Sequence, residues 1–290
     1  AKLPIIALLA GAMFDNSAWV GWSAYFLGIC AIVFSGIVLK KTKMFAGKPA
    51  PFVMELPAYH MPRPIDILKS VGERGMSFVK KAGTVILLAT ILVWFLSRFN
   101  FSLQYLPEED MDTSILAAFG NALAWLFAPL GWGKWKAVVA ALTGLIAKEN
   151  VVGTFGTLFH YAGSVDLKDD STAIWPQVKE YFASGVAGYS FLAFNLLCAP
   201  CFAAIGAIKR EMNNGRWTIF AIAWECFLAY CVSLVIYQVG GLVTGEVAFN
   251  PFTIVAFILI LAGLWGLFRP YKEAATLSDS EELAVEKAMA

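Results

Sequence analysis

The sequence predicts an all-α, polytopic transmembrane protein with broken or re-entrant helices, and three observations support this fold class. Of its 290 residues, 59% are hydrophobic and only 15% are charged, whereas soluble proteins carry about 25% charged residues. The run from Ala18 to Leu39 contains no charge and is long enough to cross a bilayer. Two other apolar runs are interrupted, one by Pro200 and one by Lys148 with Glu149, which predicts broken helices.

The composition also excludes several other classes of protein. The formal net charge of +1 gives no indication of nucleic-acid binding, and the sequence contains no G-x-x-x-x-G-K-[ST] loop for nucleotide phosphates. All five cysteines lie in apolar segments, which argues against a secreted disulfide framework. The sequence begins at Ala1 without an initiating methionine, and we expect it to be a piece of a longer protein.

The first third of the chain predicts a half-length helix, a span and a basic region. Leu3 to Phe14 has about half the length needed to cross a membrane, and Ala18 to Leu39 has the full length. The lysines that follow Leu39 predict a cytoplasmic loop. Five prolines between Pro49 and Pro64 predict a surface linker. Asp66 to Lys81 has the pattern of a basic amphipathic helix on the inner membrane face, or of the solvated start of the next spanning helix.

The rest of the chain predicts further spans around the two interrupted segments. Ser114 to Leu130 is apolar but short, and we expect it to lie along the membrane interface. The polar stretch from Ser164 to Ser184 is predicted to be a loop, and the tail that begins at Arg269 to be cytoplasmic. Uninterrupted spans are predicted over Ala82 to Ser97, Trp217 to Gln238 and Phe252 to Phe268.

The distribution of basic residues requires one interrupted segment to depart from a simple crossing. The loop after Leu39 and the turn from Lys209 to Arg216 are both basic and are therefore both predicted to be cytoplasmic. Three apparent spans lie between them, and three crossings cannot begin and end on the same side. One of the interrupted segments, Ala137 to His160 or Val186 to Ile208, must therefore re-enter or count as two short helices. Broken helices of this kind form substrate sites in transporters.

The two interruptions carry the residues most suited to binding a cation. Cys198 and Cys201 flank Pro200, and thiolates favour soft or borderline metals over sodium, magnesium or calcium. Glu149 could coordinate a divalent cation or accept its proton, because charged residues at membrane depth usually line a cavity or pair. Two alternatives remain open: the cysteines are buried packing residues, and Lys148 with Glu149 is an internal ion pair. Glu225, in the middle of a predicted span, is a weaker candidate.

Four stretches in the same order resemble the membrane region of the FeoB family, bacterial ferrous-iron transporters with an N-terminal GTPase domain. The resemblance covers essentially the whole chain. KLPIIALLAG, from Lys2 to Gly11, is similar to the end of that family's first gate motif, and the Cys-Ala-Pro-Cys segment to the core of the second gate, its repeat. The four stretches are PFVMELPAYHMP (Pro51 to Pro62), VKKAGTVIL (Val79 to Leu87), AKENVVGT (Ala147 to Thr154) and APCFAAIGAIKRE (Ala199 to Glu211).

The resemblance implies a function, a set of site residues and partners. Fe²⁺ would be the transported substrate, with Cys201 and Glu149 as metal ligands on the path and Cys198 as a further one. The chain itself would not be an enzyme, because GTP and Mg²⁺ would bind only the GTPase domain, which is absent from this sequence. The implied partners are the lipid bilayer, that GTPase domain, a small SH3-like protein of the Feo system and further copies of the chain, with no nucleic acid. The implied location is the bacterial inner membrane.

Two other functions stay open at this point. The chain could be a permease for an organic solute such as a nucleoside, with the cysteines as packing residues, or a membrane module that mainly oligomerises. The second leaves a buried Glu149 without a purpose. For the transporter, we divide the chain into the end of the first gate repeat (1–48), the proline linker with the amphipathic helix (49–81), a transmembrane helix with an external loop (82–135), the broken helix with the second gate repeat (136–268) and a cytoplasmic tail (269–290).

Overall fold

The computed structural model describes residues 3–14, 18–42, 45, 63–146, 151–152, 154–155, 171–182 and 184–270. Within these residues the chain is helical and forms no β-strand, which confirms the predicted all-α class. Short 3₁₀ helices cover Glu108–Thr113 and Ala128–Leu130. The α-helices are α1 (Leu3–Met13), α2 (Ala18–Lys40), α3 (Pro64–Arg98), α4 (Ile115–Phe127), α5 (Trp135–Ile146), α6 (Ser171–Phe182), α7 (Gly185–Leu197), α8 (Phe202–Met212), α9 (Gly215–Thr244) and α10 (Pro251–Phe268).

Three helices of the described residues are long and apolar enough to cross a membrane: α2, α9 and α10. They coincide with three of the predicted spans. The α9 helix lies at the centre and packs against α7, α8 and α10, while α2 packs against α7 and α10. Trp224 of α9 donates its indole N–H to Ser35 Oγ of α2 at 3.1 Å. Large apolar side chains on the outer faces of α2 and α10, such as Trp22 and Phe268, are exposed, as lipid-facing side chains would be.

The basic loops lie at one end of the molecule. The ring of Phe45, which follows α2, lies 5.2 Å from the ring of Trp217 at the start of α9. The amine of Lys41 donates a hydrogen bond to the carbonyl of Leu267, so the end of α10 lies there too. This agrees with the expectation that both basic loops face the same side of the membrane, and it places Arg269, where the tail begins, on that side.

The α1 helix is short and almost entirely enclosed. Its 11 residues span about 16 Å, which confirms the predicted half-membrane length. Leu8 and Leu9 are buried, and α6 and α7 pack against this helix. Met13 lies against Gly188 near the start of α7, where a Cβ on the glycine would lie 3.0 Å from Met13 Cγ. The start of α7 lies beside the end of α9, where the Ser184 hydroxyl donates to the Glu246 carboxylate, so the end of α1 lies at the end of the bundle opposite the basic loops.

The α3 helix corrects one expectation from the sequence. Its 35 residues form one continuous helix about 52 Å long, well beyond the roughly 30 Å of a hydrocarbon core. Asp66 to Lys81 is therefore not a separate helix on the membrane surface but the start of the helix that contains Ala82 to Ser97. This is the alternative that the sequence left open. The linker from residue 49 to residue 62 lies outside the described residues.

The apolar stretch from Ser114 to Leu130, which was expected to lie along the interface, forms α4 and the 3₁₀ helix that follows it. In the structure, α4 and α5 are bent by 97° at the short break between them, and together they qualify as a broken span or a re-entrant loop. Gly131 turns the chain there with a φ of 88°, and a Cβ on it would lie 2.1 Å from the ring of Tyr237. Only glycine suits a left-handed position with so little space.

The carbonyl groups freed by this bend accept hydrogen bonds from distant side chains. The Tyr230 hydroxyl donates to the carbonyl of Leu126 at 2.8 Å. Gln238 Nε2 donates to the carbonyl of Pro129 at 2.6 Å. Ser190 Oγ lies 2.9 Å from the carbonyl of Leu130. The donors belong to α7 and α9, so these two helices fix the position of the bend and thereby of α5.

Candidate functional site

The helix that was predicted to break at Pro200 does break there. The α7 helix ends at Leu197, and Cys198 caps it by donating its backbone N–H to the carbonyl of Phe194 at 2.8 Å. Cys198 and Cys201 both adopt extended backbone conformations, and α8 begins directly after Cys201. Proline has no N–H to continue a helix and forces the preceding residue out of helical geometry. The sequence therefore predicted the position of this break correctly.

The two thiols at the break have different surroundings. Cys198 is 3% exposed, and its sulfur lies 3.7 Å from the carbonyl of Asn195 in its own helix. Cys201 is partly exposed and occupies the N-cap position of α8 without capping it through its side chain. Neither cysteine forms a disulfide. Cys201 is therefore the more accessible of the two thiols.

The second interruption, at Lys148 and Glu149, lies outside the described residues, but its flanks are described. Thr143 Oγ1 and Thr154 Oγ1 lie 3.0 Å apart. In a continuous helix, two residues eleven positions apart are separated by about 16 Å along the axis. No continuous helix therefore joins the two threonines, which confirms that the segment from Ala137 is not one uninterrupted span.

The two interruptions lie next to each other. A Cβ built on Gly144, near the end of α5, would lie 2.6 Å from Val151 Cγ2 and 3.4 Å from Asn195 Oδ1. Asn195 lies three residues before Cys198 and is buried. Because Gly144 and Val151 flank the Lys-Glu pair on either side, the fold brings the flanks of one interruption against the helix end of the other.

The described part of the chain contains no group of three or more His, Cys, Asp or Glu side chains that could hold a metal ion. The predicted ligands are therefore only partly placed by the structure. Cys198 and Cys201 lie at the same break, and Glu149 falls outside the described residues.

A set of polar residues was missed by the sequence reasoning. Ser190 and Ser233 are fully buried, and their hydroxyl oxygens lie 2.7 Å apart between α7 and α9. Gln238 is also buried, and its Oε1 accepts from Thr253 Oγ1 of α10 at 3.1 Å. The sequence does indicate that these residues face other helices, because polar residues inside apolar spans usually do so. Their partners could not be identified from the sequence alone.

Tyr181 joins α6 to the start of α5 at the end of the molecule opposite the basic loops. Its hydroxyl oxygen accepts from the backbone N–H of Ala137 at 3.2 Å, and its carbonyl accepts from Lys134 Nζ at 2.7 Å. Burial raises the pKa of Tyr181, so the phenol stays neutral. Its role is to fix the beginning of the helix that leads to the second interruption.

Comparison with protein families gives two matches that do not overlap. Residues 22–74 match the family described as "Ferrous iron transport protein B C terminus". Residues 79–215 match the family described as "Nucleoside recognition", also called Gate. The second match includes the α7–α8 break and both flanks of the Lys-Glu interruption. No solved structure matches the chain.

Curated relatives are similar over most of the chain. An Fe(2+) transporter FeoB from Methanocaldococcus jannaschii is 39% identical over 249 residues, which cover 83% of this chain and 35% of that protein. A fusion of Fe(2+) transport protein A with FeoB from Porphyromonas gingivalis is 33% identical and covers 83% of this chain. The FeoB transporter of Escherichia coli K12 is 33% identical and covers all of this chain. The chain spans between 33% and 42% of the length of these relatives.

Proposed function

This chain belongs to the FeoB family of Fe(2+) transporters, and we propose that it forms a membrane pathway for ferrous iron in a GTPase-linked transporter. Relatives that carry the FeoB name cover from 83% to all of the chain. Those relatives are two to three times longer than this chain, so the transport activity is proposed for the full-length protein. Fe²⁺ is the cargo of this pathway, and the chain itself is proposed to have no enzymatic activity.

The observation that carries this proposal is the break between α7 and α8. Inside a membrane, an interrupted helix is tolerated where it is covered by protein or lines a water-filled cavity. Here the break presents Cys201, a partly exposed thiol, and Asn195 near the end of α7 lies close to Gly144 on one flank of the Lys-Glu interruption. The carboxyl end of a helix carries partial negative charge and so attracts a cation toward the end of α7. Broken helices bind coupling ions in other transporters in this way.

The proposed ligands combine one soft and one hard donor. Cys201 supplies a thiolate sulfur and Glu149 a carboxylate oxygen, and a borderline ion such as Fe²⁺ accepts both types of ligand. Cys198 is kept as an additional ligand of lower weight, because its sulfur lies against a carbonyl of its own helix. Conduction requires sites that bind the ion weakly enough to release it. A position with few protein ligands binds the ion weakly, as conduction requires.

Partners and location follow from the same proposal. GTP and Mg²⁺ are proposed to act through the N-terminal GTPase domain that the family carries. The Porphyromonas relative, named as a fusion with Fe(2+) transport protein A, supports a small partner protein of that kind for this chain. Homo-oligomerisation is a further proposal. The protein is proposed to lie in the bacterial inner membrane with its basic loops and the tail after Arg269 in the cytoplasm, by the positive-inside rule.

A second candidate function has one specific observation in its favour. Residues 79–215 match a family described as "Nucleoside recognition", and that family includes both interruptions. In this alternative the chain conducts an organic solute such as a nucleoside, and the cysteines serve only for packing. The two functions differ in one respect that can be measured, because a thiolate can bind a soft or borderline metal but has no role as a ligand for a nucleoside.

The test is anaerobic Fe²⁺ uptake by cells that express the full-length protein at matched membrane levels. Loss of a group that hydrogen-bonds to a metal ligand lowers metal affinity about 10–100-fold, so loss of a direct ligand should reduce uptake at least tenfold at low Fe²⁺. We expect this result for Cys201→Ser and Glu149→Gln, and a smaller effect for Cys198→Ser. Cys30→Ser is the matched control, because Cys30 is exposed on the outer face of α2.

The result that would contradict the proposal is equally specific. Uptake of Fe²⁺ at the wild-type rate by both Cys201→Ser and Glu149→Gln would show that neither residue lies on the ion path. Uptake of a radiolabelled nucleoside, together with no Fe²⁺ uptake by the wild-type protein, would favour the second candidate function.

A further inference from the structure

Helices α7 and α9 run antiparallel, and three contacts between them define their register. The hydroxyl group of Ser184 at the start of α7 donates to the Glu246 carboxylate that follows α9. Further along, a Cβ built on Gly240 would lie 3.0 Å from Val186 Cγ1. The buried hydroxyl pair of Ser190 and Ser233 comes next, with 2.7 Å between the oxygens. Moving forward along α7 therefore means moving backward along α9.

This register brings Glu225 to the level of the α7–α8 break. Cys198 lies eight residues after Ser190 on α7, and Glu225 lies eight residues before Ser233 on α9. At about 1.5 Å of rise per residue, both lie about 12 Å from the serine pair in the same direction. α8, which continues from the break toward the basic loops, also packs against α9. Glu225 is therefore level with the break whose thiols are the proposed iron ligands.

The position of Glu225 around α9 points its side chain into the protein. Glu225, Ala229 and Ser233 are spaced by four residues and share one face of the helix, and both Ala229 and Ser233 are fully buried. Ala223 and Phe227 project from the opposite face, and Phe227 is 57% exposed, as a lipid-facing residue would be. The Oε2 atom of Glu225 is itself buried. A carboxylate at membrane depth is costly and marks a functional position by default.

We propose that Glu225 is a carboxylate binding position for Fe²⁺ on the ion path, level with the Cys198–Cys201 break. The inference rests on the proposed function, because it assigns a further ligand to the same pathway. Carboxylate oxygens bind divalent iron, and Glu225 is the one acidic residue in the sequence of α9. The described residues contain no group of three candidate ligands that could hold a metal ion, and Glu225 is assigned as one oxygen donor at the level of the thiols.

The test measures Fe²⁺ uptake as a function of Fe²⁺ concentration in cells that express the full-length protein, with the amount in the membrane quantified. Glu225→Gln keeps the size of the side chain and removes its charge, and we expect its uptake per molecule to fall by about tenfold at low Fe²⁺. Glu225→Asp keeps the charge on a shorter side chain and should retain uptake with a raised KM for Fe²⁺. Cys226→Ser is the control, because Cys226 lies one position along and points about 100° away.

The outcomes separate this inference from the proposed function. Normal Glu225→Gln kinetics, with uptake lost in Cys201→Ser, would overturn the role of Glu225 and keep the iron pathway. Absence of Fe²⁺ uptake by the wild-type protein would overturn both. If Glu225→Gln does not reach the membrane, Glu225→Asp decides the question: a raised KM supports iron binding. A wild-type KM in that variant means that the carboxylate is only structural.

Discussion

The substitution Gln238→Leu tests whether the bend between α4 and α5 depends on the hydrogen bonds that α9 supplies. Gln238 is 2% exposed. Its Nε2 donates to the carbonyl of Pro129 at 2.6 Å, and its Oε1 accepts from Thr253 at 3.1 Å. Leucine has a similar volume, so packing changes little. It has neither a donor for the Pro129 carbonyl nor an acceptor for the threonine hydroxyl.

The expected loss of stability depends on which hydrogen-bond partners remain for Thr253 and Pro129 when Gln238 is replaced. The Thr253 hydroxyl lies 3.4 Å from Asn250 Oδ1 and can shift its hydrogen bond to that oxygen. The carbonyl of Pro129, a buried residue at the bend, loses the donor that Gln238 supplied. Leaving one buried acceptor without a partner costs about 1–3 kcal/mol. Polar contacts between membrane helices average only about 0.6 kcal/mol, so we expect a loss of about 1–2 kcal/mol.

The assay is thermal unfolding of the purified full-length protein in detergent. A loss of about 1–2 kcal/mol lowers the midpoint of a domain of this size by roughly 2–8 °C. Thr244→Val is the matched control on the same helix, because Thr244 is exposed and its hydroxyl bonds only to carbonyls of its own turn. If Gln238→Leu unfolds within 1 °C of this control, the bend does not depend on α9 and our account of how α5 is positioned is wrong.

Two further predictions concern glycines at close contacts. Gly144→Ala should destabilise the protein by about 1–3 kcal/mol and reduce Fe²⁺ uptake, because the new Cβ would lie 2.6 Å from Val151 Cγ2. Its control is Gly206→Ala on α8, where the new Cβ would meet open space. That substitution should leave the stability unchanged or raise it by up to about 1 kcal/mol. Gly131→Ala should reduce the amount of folded protein in the membrane more than Gly144→Ala or Gly206→Ala does. Residue 131 has a φ of 88°, and the new Cβ would lie 2.1 Å from the Tyr237 ring. An immunoblot that finds wild-type amounts would contradict this.

The features that the sequence predicted correctly are those encoded by neighbouring residues. Hydropathy over a continuous run located α2, α9 and α10, and Pro200 located the break after α7, because a proline acts on the carbonyl and the residue directly before it. The half-length of α1 follows from its own composition in the same way. In each case the physical cause lies within a few residues of its effect.

One missed feature is local, because the stretch from Ser164 to Ser184, predicted to be a loop, contains helix α6 (Ser171–Phe182). The other missed features depend on residues far apart in the sequence. The bend after Phe127 contains Pro129, but its carbonyls are held by side chains 60 to 109 residues away. Nothing in the stretch from Ser114 to Leu130 indicates those donors, so the bend could not be predicted from that stretch. The level of Glu225 relative to Cys198 likewise depends on the register of α7 against α9. The sequence contained the residues of the site but not their arrangement in space.

The two helix interruptions that the structure describes in full differ in how their polar groups are satisfied, and this difference assigns them different roles. At the bend, three carbonyls accept from Tyr230, Gln238 and Ser190, so bending further would break hydrogen bonds to two other helices. At the α7–α8 break, Cys198 makes contacts within α7, and the side chain of Cys201 makes no cap hydrogen bond.

Because the side chain of Cys201 makes no cap hydrogen bond, a passing cation can bind its sulfur without displacing such a bond. Binding an ion at the bend would instead require the loss of buried hydrogen bonds, each with a cost of about 1–3 kcal/mol. Fe²⁺ is therefore expected to pass the α7–α8 break while the bend stays fixed and holds α5 in place. This difference predicts that Gln238→Leu lowers stability without changing the KM for Fe²⁺, whereas Cys201→Ser changes uptake without lowering stability.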